Sequence, residues 1–148
     1  GERVTPDVIA VGDAYAAFLA KGDDRYDGPY ALTHGDYRLD NMLFGDEGAP
    51  KPLAIVDWQT PGKRGPLIDV AYFIGAGFTQ ADRPKYESSL IERYYNGLIK
   101  RGVSGYSLAD AKRHYALFSF YGMAVAFGAA MLVKQTERGD EMFLTMLR

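Results

Sequence analysis

The sequence contains no cysteine, which excludes disulfides and thiolate metal sites and is compatible with a cytoplasmic setting. A strong charge of one sign is missing as well. Its 17 basic and 19 acidic residues leave a formal charge of −2, so bulk charge favours neither nucleic acid nor an anionic membrane. The opening Gly1-Glu2-Arg3-Val4 lacks the basic region and apolar stretch of a signal peptide. No internal repeat, low-complexity tract or linker divides the chain, and residues 1–148 are expected to form a single domain. Hydrophobic residues make up 47% and aromatics 14%, enough for a real core.

Long apolar runs are scarce, with one exception. Tyr115–Val133 carries no charged residue over nearly the length of a bilayer span. Ser119, Gly122, Gly128 and several alanines interrupt it, and its tyrosines are not confined to the ends. A helix buried on all sides gives the same pattern, so a buried helix is expected and no membrane contact.

The rest reads as a mostly helical α+β domain. Thr5-Pro6-Asp7 has the hydroxyl, proline and acid of a helix start, and Val8, Ile9, Tyr15, Phe18 and Leu19 carry that helix to about Gly22. A polar break follows over Asp23–Pro29. Ala31-Leu32-Thr33, Met42-Leu43-Phe44 and Leu53-Ala54-Ile55-Val56 are β-like, the last two joined through Gly45-Asp46-Glu47-Gly48 as a small hairpin. Further helices are expected over Pro66–Phe73, ending at a Gly75/Gly77 break, and over Pro84–Lys100. Two more are expected, one from the cap-like Ser107-Leu108-Ala109-Asp110 and one over Glu137–Arg148. Tyr94, Tyr95, Phe118, Phe120 and Tyr121 are expected in the core.

Polar residues set between the apolar strands carry the chemistry. Asp36 and Asn41 follow one strand and Asp57 follows another, so strand ends would bring three oxygen-bearing side chains together. Hard oxygen ligands suit Mg²⁺, which takes one or two carboxylates and fills its shell with water and phosphate. A carboxylate beside that metal can orient a hydroxyl and accept its proton as it attacks phosphorus. The spacing therefore suggests metal-assisted phosphoryl transfer. An acid placed directly after Ala54-Ile55-Val56 is costly if buried without a partner, which favours a ligand role for Asp57 over a mere strand end. Asp40 either pairs with Arg38 or faces solvent.

His34-Gly35-Asp36, four residues, Asn41, a hairpin and Asp57 resemble the catalytic and metal-binding loops of kinases. The His-Gly-Asp form, with Gly65-Pro66-Leu67-Ile68-Asp69-Val70-Ala71-Tyr72-Phe73 after it, is similar to the aminoglycoside phosphotransferase and choline kinase-like superfamily. Asp57-Trp58-Gln59 resembles its ecdysteroid kinase-like branch. The resemblance implies the C-terminal lobe of a protein-kinase-like fold, with a small β-hairpin insert carrying both loops. It implies Asp36 as catalytic base, Asn41 and Asp57 as Mg²⁺ ligands, and ATP as phosphoryl donor. His34 and Asp69 would support the catalytic loop, and the helices after Gly75 would wall the substrate.

Two features depart from a whole kinase. The 33 residues before His34 hold no glycine-rich hairpin or strand lysine. The nucleotide-cradling lobe is therefore expected to be absent, its cofactor-binding residues unnamed and this chain alone inactive. The surface it leaves bare invites self-association. Trp58 and Gln59, in place of Phe-Gly, lack glycine's backbone freedom, which argues against loop flipping and a protein substrate. The expected function is ATP-dependent phosphorylation of a small-molecule alcohol. A non-catalytic binding module and a metal-dependent phosphohydrolase are the alternatives.

Overall fold

A computed structural model describes residues 4–20, 26–132, 134 and 136–147. Helix α1 (Pro6–Ala20) begins at the proline, whose missing N–H costs nothing at a helix start, and Ile9 N donates to Thr5 O at 3.2 Å. The expected helix end at Gly22 and the first part of the polar break lie outside the described residues.

The small β component forms two separate antiparallel pairs. Strands β2 (Met42–Phe44) and β3 (Leu53–Ile55) make the expected hairpin, with Met42 opposite Ile55 and Phe44 opposite Leu53. Gly45 N donates to Pro52 O and Ala49 N to Asp46 O, each at 3.0 Å, and Gly48 supplies the positive φ of the turn. Strand β1 (Ala31–Thr33) joins β4 (Gly62–Arg64) instead. Gly-Lys-Arg carries no β-branched or aromatic residue, so its strand was not readable from side chains. Backbone pairing made it, helped by Thr33 Oγ1 donating to Gly62 O at 3.0 Å.

Helices α2 (Leu67–Gly77), α3 (Arg83–Lys100), α4 (Leu108–Phe118), α5 (Tyr121–Leu132) and α6 (Glu137–Met146) complete the element order. Helix α2 is central. One flank contributes Leu67, Ala71 and Ile74 to a cluster with Ile91, Tyr106, Ala111 and Tyr115. The other contributes Tyr72 to a cluster with Ala126 and Met146. The expected break at Gly75 and Gly77 does not occur within α2. Two helical glycines cost about 1 kcal/mol each, and burying Leu67 and Ile74 offsets that at roughly 1.5–3 kcal/mol apiece.

Helix α4 opens with the expected cap, a reciprocal capping box between Ser107 and Asp110. The long apolar run is not one buried helix. Helix α4 stops at Phe118, where Ser119 Oγ donates back to Ala116 O at 2.8 Å, a local bond that competes with the helix. Helix α5 leaves Phe127, Met131 and Leu132 exposed. Phe120 is exposed too, whereas Tyr94, Tyr95 and Phe118 pack on the core as expected. Among the described residues, no helix is long and apolar enough to cross a membrane.

Candidate active site

The turn between β1 and β2 is irregular, so its backbone donors need partners from outside any ladder. Asp69, in the first turn of α2, supplies them. Its Oδ2 accepts from His34 N at 2.7 Å and its Oδ1 from Gly35 N at 2.9 Å. The next carbonyls are also held, His34 O by Thr60 Oγ1 at 3.1 Å and Gly35 O by the Tyr121 hydroxyl at 2.9 Å. Gly35 has φ +84°, and a Cβ there would lie 2.5 Å from Thr60 O, so only glycine fits.

His34 is buried, with both ring nitrogens engaged. Nε2 lies 2.8 Å from Val56 O, and Nδ1 accepts from Asp36 N at 3.2 Å. A carbonyl only accepts, so the ring hydrogen sits on Nε2. The imidazole thus ties the Asp36 turn to the end of β3, and neither nitrogen is left for proton transfer.

Asp36 is oriented through both oxygens. Arg38 Nε donates to Oδ1 at 3.0 Å, and Asn41 Nδ2 donates to Oδ2 at 2.9 Å and to Asp36 O at 2.8 Å. Those two acceptors fix the Asn41 amide with its nitrogen toward Asp36. The Asn41 side-chain oxygen, Oδ1, accepts no hydrogen bond among the described residues. Tyr72 lies one turn beyond Asp69 on α2, on the side of Asp36. Burial, and then that carboxylate, hold its hydroxyl well above the usual tyrosine range.

Arg38 reaches further, to Asp40 Oδ2 at 3.0 Å and Met142 Sδ at 2.7 Å, and Asp40 also pairs with Arg138. Of the two readings of Asp40, the ion pair holds, and it joins the turn to α6.

Asp57 follows β3. Val56 N donates to Asn41 O at 3.0 Å, extending the hairpin by one pairing, so Asp57 follows the residue paired with Asn41. Its φ of 63° is the one left-handed value outside glycine among the described residues. Its carboxylate is exposed and takes no ion pair or hydrogen bond there. Trp58 does not fill that space: its indole donates to Ile55 O at 3.1 Å and its ring packs on His34.

Asp36 and Asn41 are thus in direct contact, and Asp57 follows Val56, whose amide pairs with the Asn41 backbone carbonyl. No group of three or more His, Cys, Asp or Glu residues forms a metal cage among the described residues. An amide oxygen and one free carboxylate are instead the sparse oxygen set that suits Mg²⁺ bound partly through phosphate. Sequence reasoning missed Tyr72, Thr60 and Tyr121. Tyr72 left a signal, since three residues after Asp69 on a helix lies the same face. The other two are joined only by the fold.

A family model described as the ecdysteroid kinase-like family matches residues 10–102. The chain is 33% identical over 104 residues to acyl-CoA dehydrogenase family member 10 of Mus musculus, covering 63% of this chain and 9% of that protein. It is 40% identical over 57 residues to acyl-CoA dehydrogenase family member 11 of Gallus gallus, covering 38% of this chain and 7% of that one. The chain thus spans less than a tenth of either relative. No solved structure matches it. The family match takes in His34, Asp36, Asn41, Asp57 and Asp69, and the chain belongs to the ecdysteroid kinase-like family, a kinase-like phosphotransferase family.

Proposed function

We propose that this domain transfers the γ-phosphoryl group of ATP to a hydroxyl of a small molecule, with Asp36 as base and Asn41 and Asp57 as Mg²⁺ ligands. The observation that carries the reading is the Asn41 amide. Its nitrogen orients Asp36, while its side-chain oxygen has no partner among the described residues and the exposed Asp57 follows the residue paired with Asn41. A base and a metal ligand locked to each other in this way suit a reaction that depends on positioning.

Bound Mg²⁺ would neutralise charge on the phosphates. The chain's own residues do the rest. Asp36 keeps lone pairs beyond those taken by Arg38 and Asn41, and these would accept the hydrogen of the incoming hydroxyl. Asp69, His34 and Thr60 hold the turn, and Arg38 carries its position to α6, which supports that helix as part of the substrate wall.

The test is ADP release by the full-length protein with MgATP and a panel of hydroxylated metabolites. Release that needs both an alcohol and the Asp36 carboxylate is expected. Phosphate release at the same rate without any alcohol would make the domain a phosphohydrolase. Mg²⁺ affinity unchanged by Asp57→Asn would remove the metal assignment.

A further inference from the structure

A cavity of about 550 Å³ lies against α3, on the flank of α2 away from Asp36. Its walls include Val70, Phe73 and Ile74 from α2, Leu90, Tyr94 and Leu98 from α3, and Tyr37 from the catalytic turn. On α2, Tyr72 turns toward Asp36 and the α5–α6 cluster, whereas Val70, Phe73 and Ile74 turn toward α3. The cavity therefore opens on the α3 side of α2, with Tyr37, the residue after Asp36, in its wall.

Its shape follows from the α3 sequence. Leu90, Tyr94 and Leu98 recur every four residues and form one apolar row. Arg93, Gly97 and Arg101 form the adjacent row, with the glycine in the middle. A Cβ on Gly97 would meet only the Arg101 guanidinium, at 3.3 Å. The missing side chain thus leaves a gap between two cations. Arg101 folds back over that gap, Nη1 donating to Gly97 O at 3.1 Å, and its other N–H groups remain. Arg93 has no acidic partner among the described residues. Asp69 lies near Tyr37 and Tyr94, whose hydroxyls burial and then Asp69 push up. That charge is already met by the His34 and Gly35 amides.

We infer that this cavity is a binding site for an apolar carboxylate, its body against Phe73, Ile74, Leu90 and Leu98 and its head between Arg93 and Arg101. The volume falls within the roughly 300–1,000 Å³ of small-molecule pockets, which pair apolar walls with a few polar groups. Guanidinium is the side chain suited to a planar carboxylate. Through Tyr37 the occupant would touch the turn that Asp69 anchors.

Decanoate is the probe and decanol its uncharged control, both titrated calorimetrically against the full-length protein. The expected result is decanoate binding that weakens about tenfold in Arg93→Ala/Arg101→Ala, with decanol affinity little changed. Gly97→Leu should abolish binding of both, since it fills the gap while favouring the helix, and an unchanged circular dichroism melt shows that it folds. Asp36→Asn should leave decanoate binding as it is, which separates this site from the phosphotransfer reading. Decanoate affinity unchanged by Gly97→Leu would place the ligand elsewhere and overturn the inference. Loss of decanoate and decanol affinity to the same extent in the arginine variant would also overturn it.

Discussion

The two carboxylates that close the strands are built in opposite ways. Asp36 stands in a turn where nearly every polar group has a partner: amides on Asp69, carbonyls on Thr60 and Tyr121, the carboxylate on Arg38 and Asn41. Asp57 has a left-handed backbone and an exposed carboxylate without an internal partner. A base must be held in place before its substrate arrives, because misplacement by an ångström is costly in rate. A metal ligand must keep its oxygens free until the ion comes. Strain retained at a residue with no compensating contact points to function.

Exchanging the charge at each position tests this contrast most strongly. Asp36→Asn should lower turnover by about 10²–10⁴-fold while MgATP binding, followed by calorimetry, stays nearly intact. Asp57→Asn should instead weaken Mn²⁺ and MgATP binding, because asparagine tolerates the left-handed backbone but lacks the charge. Equal loss of nucleotide affinity in both would mean that the roles are misassigned. Next in size is the anchor. Asp69→Ala orphans the His34 and Gly35 amides, at about 1–3 kcal/mol for each buried donor, and should depress the melting temperature as well as activity. Asp69→Asn should cost less, since one acceptor oxygen survives. An alanine variant that melts like wild type would show that the turn holds without Asp69.

The halves of the site differed in how readable they were. The Asp69 anchor and the meeting of Asp36 with Asn41 were legible because residue type and spacing in one stretch of chain carry them. The hairpin was legible from its apolar strands and glycine turn. Strand β4 was not, because Gly62-Lys63-Arg64 pairs through backbone alone. The continuation of α2 through Gly75 was hidden for the opposite reason: local propensity argued for a break and tertiary burial overrode it. The division of Tyr115–Val133 into α4 and α5 turns on one Ser119 hydroxyl, which hydropathy does not register. Tyr121 reaches Gly35 from 86 residues away, and no local pattern encodes a meeting of that kind.

A smaller effect sharpens the Asp36 side. Tyr72→Phe removes a buried hydroxyl near the Asp36 carboxylate and leaves the ring, with Arg38 and Asn41 still holding the base. Loss of a polar contact worth about 1 kcal/mol would lower turnover roughly fivefold, with the Michaelis constant for ATP unchanged. Burial holds this hydroxyl protonated far above neutral pH, so the variant and wild type should share one pH profile between pH 6 and 9. A profile that shifts with Tyr72→Phe would give the hydroxyl a share in proton transfer.

The smallest effect is the most diagnostic for Asp57. A left-handed backbone costs a non-glycine residue roughly 1–2 kcal/mol, and at Asp57 nothing among the described residues returns it. Asp57→Gly removes that cost but adds about 0.5–1 kcal/mol of backbone entropy lost on folding. The net change should be a stabilisation of less than about 1 kcal/mol, read as a slightly higher urea midpoint with unchanged slope. Mn²⁺ binding should be lost in the same variant. Gain of stability together with loss of metal is what a strained ligand position requires. A variant less stable than wild type would mean that the Asp57 side chain makes structural contacts, and its resemblance to an open metal ligand would then fail.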